Sequence, residues 1–232
     1  MVVRSKGAAF YNKKPRDTTQ TAQPGYDPAC RDCPRLARYL DRIGREHPGY
    51  HARPVAPFGP TRPALLVVGL APGLHGANRT GRPFTGDHAG ILLYRTLHRY
   101  GFASHEGSAD PGDGLRLIGC RVTNAVKCLP PQNKPHPDEV RRCNHYLSEE
   151  IAAARPRAIL ALGAIAHRAV LMAFRLAPGR HRFAHHAVHE LPGASLFDSY
   201  HCSRYNTQTR RLTVRMFEAV VRDIATFLRS AR

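Results

Sequence analysis

Ala64-Leu65-Leu66-Val67-Val68-Gly69-Leu70-Ala71-Pro72-Gly73 is the stretch that decides the architecture. Residues 64–70 are almost continuously apolar and include two β-branched valines, as expected of a strand buried on both faces. A proline flanked by glycines then ends the run. Moving outward, residues 121–126, 158–162 and 194–200 form three more apolar runs. Helical patterns separate them: 90–99, a helix opened by Pro137 with Asp138 and Glu139 in its first turn, 164–174, and 212–228 with Val214, Phe217, Val221, Ile224 and Leu228 on one face. Strand–helix alternation implies a parallel sheet with helices on both faces. Ligands of such sheets sit beyond the carboxyl ends of the strands, which directs attention to the residues after Leu70, Val126 and Tyr200.

Composition narrows the partner. The 232 residues carry 35 Lys and Arg against 17 Asp and Glu, a net charge of +18, and 30 of the basic residues are Arg. Forked guanidinium groups match phosphate oxygens, and an excess of this size is best neutralised by a polyanion, so nucleic acid is the expected partner. No run approaches the roughly 18 apolar residues that span a bilayer, and Met1 to Gln20 lacks a secretory core, so no membrane role is expected. The chain reads as a cytoplasmic, DNA-associated monomer. Residues 1–27 read as a basic, loosely held tail and 28–232 as a single domain.

Each strand end carries unusual residues. After the first come Gly69, Leu70, Ala71, Pro72 and Gly73, followed by Arg82, Phe84 and Asp87; the glycines let backbone approach a ligand closely. Without a Gly-x-Gly-x-x-Gly or a Gly-Lys-Ser/Thr, a dinucleotide or NTP-phosphate loop has no support. Phe84 could stack on a base or plug its loop into the core. Asp87 could cap a helix, handle a water, or do both. The second strand end carries Asn124, whose amide could match a pyrimidine edge or tie down its own turn; the third carries His201, Ser203, Arg204, Tyr205 and Asn206. Six cysteines in an intracellular chain favour metal over disulfides. Cys30-x-x-Cys33 and the wider pair Cys128 and Cys143 offer four thiolates suited to zinc or an iron–sulfur cluster, and spacing alone does not choose. His181, His185, His186 and His189 lack ligand spacing and are not read as a metal site.

Together the glycine loop, the run from His75 to Asp87, the segment 123–131 and His201-x-Ser203-x-x-Asn206 resemble the family 5 uracil-DNA glycosylases, over almost everything from Cys30 to Phe227. The resemblance implies a four-stranded parallel sheet in an α/β/α sandwich, a 4Fe–4S cluster on Cys30, Cys33, Cys128 and Cys143, and excision of uracil, hypoxanthine or other deaminated bases from DNA. It implies catalytic roles for Asp87, Asn124 and His201 and a base pocket of Gly69 to Gly73, Phe84, Asn124 and His201. Sister families place a carboxylate or amide at the positions of Leu70 or Ala71, so here Asp87 is the nearest matched carboxylate. Cys202 stands where many relatives have Pro. Arg204, Tyr205 and Asn206 are expected to enter the duplex, with Arg82 among the groups on phosphates. The rival expectation is a non-catalytic nucleic-acid-binding protein with a structural metal, which leaves Asp87, Asn124 and His201 unexplained.

Overall fold

The computed structural model describes residues 25–230. Of the expected tail, residues 1–24 lie outside the described residues. Strand β1 (Leu65–Gly69) is buried along its whole length, and β2 (Cys120–Asn124), β3 (Ala158–Leu162) and β5 (Ala194–Ser199) share this inward character. These four pair in parallel, in the order β2-β1-β3-β5. Each fully buried Leu or Val contributes roughly 1.5–3 kcal/mol by leaving water.

The expected four-stranded sheet has a fifth member. Strand β4 (Val188–Leu191) runs antiparallel to β5 at the edge, joined to it through Pro192 and Gly193. It carries His189 and Glu190 and is largely exposed, so it has none of the continuous apolar signal that marks the other four.

Helices cover both faces. Leu65, Val67, Leu160 and Phe197 pack against α3 (His88–Arg99) and α7 (Val214–Ser230). Leu66, Val68, Ile159 and Leu196 pack against α4 (Pro137–Ala154) and α5 (Ala164–Ala173). Three further helices escape the sequence reading. Helix α1 (Pro34–Glu46) starts with Pro in its first turn and buries Leu36, Ala37, Leu40 and Ile43. The short α2 (Ala77–Thr80) and α6 (Arg204–Gln208) lie in the loops after β1 and β5. Among the described residues, no helix is long and apolar enough to cross a membrane.

The register places Gly69 opposite Asn124, so the first two chemistry-bearing segments leave the sheet at the same edge. Ser199 ends β5 on that edge, two residues before His201.

Candidate active site

A cavity of about 400 Å3 opens at this edge, and Leu70, Ala71, Gly73, Phe84, Asp87, Asn124 and His201 all line it. Three turns distant in sequence thus meet at one mouth, because each follows a strand of the same parallel sheet.

Asp87 caps α3: its Oδ1 accepts a hydrogen bond from the Gly90 amide at 3.0 Å. The cap uses one carboxylate oxygen; the other, Oδ2, lies beside Gly76 and Gly73, and Gly73 shares the cavity wall with Asp87. Burial raises the Asp87 pKa above its ordinary value, against the lowering effect of the amides of Gly90 and Ala89.

Phe84 fills both roles considered for it. Its side chain is 5% exposed and belongs to the core on the α3 side, yet its ring also walls the cavity. It packs on the His201 ring at a centroid distance of 5.9 Å. The residue sits in the left-handed region at φ 54, an uncommon conformation for a bulky side chain. Buried Tyr94 holds the turn, donating its hydroxyl to the Pro83 carbonyl at 2.7 Å. Gly90 permits it, since any side chain there would collide with the Phe84 carbonyl.

Asn124 is 4% exposed, and its Oδ1 has no hydrogen-bond partner among the described residues. A buried amide oxygen without a partner costs on the order of 1–3 kcal/mol, so Asn124 keeps an unused acceptor in the wall of the cavity. Gly69 keeps the space clear: a Cβ there would run into the Asn124 amide and reach within 2.5 Å of Phe84 Cζ. Burial drives His201 down to about 4, so its imidazole is neutral at pH 7.

One expected DNA contact points inward instead. Arg82 is 7% exposed; its guanidinium pairs with both oxygens of Asp113 at 3.0 and 2.7 Å and donates to Ser108 Oγ and the carbonyls of Asp110 and Pro111. With its donors engaged inside a loop, it ties the turn before Phe84 to residues 108–113 and cannot reach a phosphate. Asn206 donates its amide to the His201 carbonyl at 2.9 Å, fixing the loop that carries the imidazole. Arg204 is exposed at the mouth, and the adjoining Tyr205 is exposed at 70%. The sequence reading overlooked His88, which also lines the cavity; its Nε2 lies 3.0 Å from Thr207 Oγ1 and joins α3 to α6. Its position next to Asp87 was the one available signal.

Cys30, Cys33, Cys128 and Cys143 line a second, smaller cavity, together with Leu36, Ala37 and Val126. None of the four is in a disulfide, and the Lys127 amide donates to Cys143 Sγ at 3.3 Å. Four sulfur donors in an apolar wall fit an iron–sulfur cluster or a zinc ion. Cys202 is fully buried in the main core and is not among the residues lining that cavity.

The chain belongs to the uracil-DNA glycosylase superfamily, whose family model matches residues 56–225, the stretch that holds the sheet and every residue named above for the larger cavity. Within it, the chain belongs to the type-5 uracil-DNA glycosylases. It is 48% identical to the type-5 uracil-DNA glycosylase of Thermus thermophilus, over 84% of this chain and 92% of the relative. Against the type-5 enzyme of Pyrobaculum aerophilum the identity is 41%, over 84% and 88%. The type-4 uracil-DNA glycosylase of Pyrobaculum aerophilum is 37% identical, over 53% of this chain and 55% of the relative.

Proposed function

We propose that this chain removes uracil, together with hypoxanthine and other deaminated bases, from DNA by hydrolysing the N-glycosidic bond to leave an abasic site. The observation that carries the reading is the convergence of Asp87, Asn124 and His201 on one cavity with Phe84 as its wall. A base reaches such a pocket only by leaving the stack. Phe84 then offers a ring face, and the Asn124 amide offers complementary groups to the base edge.

As the C1′–N1 bond breaks, its electron pair leaves on the base and the sugar gains oxocarbenium character. Neutral His201 donates a hydrogen bond to the base oxygen on which charge grows. The carboxylate of Asp87 faces the developing positive sugar and holds the water that adds to C1′, taking up its proton. The exposed Arg204 and Tyr205 meet the duplex, and the arginine-rich surface holds phosphates.

Cys30, Cys33, Cys128 and Cys143 would hold a 4Fe–4S cluster. When bound, the cluster supplies cross-linking rather than base chemistry: it would join the start of α1, the loop after β2 and helix α4. Asn124 and Cys128 lie four residues apart, so the same loop carries the base-reading amide and one of these cysteines.

The test is a single-turnover reaction on a duplex carrying one uracil, followed by alkaline cleavage. Strand scission at that position is expected from wild-type protein and not from Asp87→Asn. Duplex binding without abasic sites, from iron-replete protein, would overturn the reading.

A further inference from the structure

Away from the pocket, Asp198 on β5 is fully buried and held by two histidines. Its Oδ1 lies 2.8 Å from His167 Nδ1 on α5, and its Oδ2 lies 3.0 Å from His189 Nε2 on β4. The other ring nitrogen of His167, Nε2, lies 2.9 Å from the His181 carbonyl oxygen.

The proton inventory constrains this cluster. A backbone carbonyl only accepts, so His167 Nε2 carries a hydrogen. A neutral imidazole then has a bare lone pair on Nδ1, aimed at a carboxylate oxygen that also only accepts. Two lone pairs held face to face in a buried site require a cation between them: a proton, carried by the imidazole or by the carboxyl, or a metal ion.

We propose that His167, His189 and Asp198 form a binding site for a divalent transition-metal ion of the zinc class, distinct from the cysteine cavity. Two imidazoles and a carboxylate are an ordinary donor set for such an ion. The candidate ligand atoms all lie within 4.8 Å of one another. With metal–ligand bonds of about 2.0–2.2 Å, neighbouring tetrahedral ligand atoms sit roughly 3.3–3.6 Å apart, so the two imidazole nitrogens, now 2.8 and 3.0 Å from the Asp198 oxygens, need part from them by roughly 0.3–0.8 Å. The contact of His167 with the His181 carbonyl is the outer contact that orients a metal-bound histidine and fixes its tautomer.

His189 is partly exposed, which gives the ion a route in, while His167 and Asp198 are buried. Spacing in sequence hid the site because its ligands come from three elements. An ion here would staple the edge strand β4 and helix α5 to the end of β5, three residues before His201.

The experiment uses untagged, full-length protein with its cysteine site loaded. It is dialysed against a chelator too weak to strip iron, then against micromolar zinc, and assayed for zinc and iron by plasma emission. About one zinc per chain is expected in wild type and background zinc in His189→Gln, with equal iron in both. Cobalt(II) in place of zinc should give visible d–d bands that the variant lacks. His189 is the chosen position because its partial exposure lets the variant fold; matching circular dichroism and iron content confirm that it has. Wild type that binds no zinc, or a folded variant that binds as much as wild type, would overturn the proposal and leave a proton as the cation.

Discussion

Asp87 combines two jobs that a pair of substitutions can separate. One oxygen caps α3 through Gly90, and the residue also lines the cavity. Asp87→Ala removes both. Loss of the cap costs about 1 kcal/mol, and in a domain of this size that lowers the melting temperature by roughly 2–4 °C. Asp87→Asn keeps the cap, since Asn is as good an N-cap as Asp, but discards the charge. Because burial raises the Asp87 pKa, the ionised form is disfavoured in the folded protein. The amide should therefore melt at or slightly above wild type. Its excision rate, however, should fall about 10²–10⁴-fold, a barrier increase of roughly 3–5 kcal/mol. The pH profile supplies a second reading. Excision by wild type needs the carboxylate, so its rate should rise with pH through the raised pKa and level off above it; His201, at about 4, is neutral at pH 7. The assay is single-turnover cleavage of a uracil duplex across pH, beside thermal melts of all three proteins. Wild-type rates in Asp87→Asn would refute the role of the charge and leave Asp87 a cap alone.

Gly69→Ala would push a methyl group toward Phe84 and the Asn124 amide; we expect a cost of about 1–3 kcal/mol in denaturant melts from overpacking, and excision reduced by more than tenfold. Arg82→Ala should destabilise the fold, while the salt dependence of duplex binding in a filter or anisotropy titration stays unchanged. Asp113 is the pH-sensitive half of that pair. Burial pushes its pKa up, but the Arg82 hydrogen bond and the Leu115 amide outweigh this and hold it at about 2. A depressed folded pKa stabilises above the unfolded value near 3.9 and is lost as pH falls toward 2, so acid melts of wild type and Asp113→Asn should converge there. Arg204→Ala, at an exposed site, should leave stability alone and flatten the salt slope of binding by about one phosphate contact. Cys33→Ser should lower iron content and visible absorbance and lower the melting temperature.

The four parallel strands were legible because each is buried on both faces and so reads as an unbroken apolar run. Strand β4 was not, since an edge strand with His189 and Glu190 has no such run and gains its place by pairing with β5. Helix α1 was masked by its arginines, although Leu36, Leu40 and Ile43 keep helical spacing. In the pocket, residue type drew attention to Asp87, Asn124 and His201 but left Asp87 and Asn124 with purely structural alternatives, and it was the resemblance to the family 5 glycosylases that gave all three their roles. The same reasoning misled at Arg82, whose type suggests a surface contact, and did not foresee the backbone contact of Asn206. Their partners, Asp113 and the His201 carbonyl, are set by loop folding that no local pattern records. Phe84 could not be resolved in advance because its ring faces core and cavity at once.

The loop bearing Tyr205 is tied down on three sides: His88 to Thr207, Asn206 to the His201 carbonyl, and the Leu212 amide to the Asn206 carbonyl. A finger so anchored has no freedom to probe the double helix by itself. If it enters DNA, the nucleic acid must do the bending, and poorly paired steps, such as uracil facing guanine, yield at the smallest energetic expense. Rigidity in the protein would thus turn the softness of a damaged site into a means of finding it.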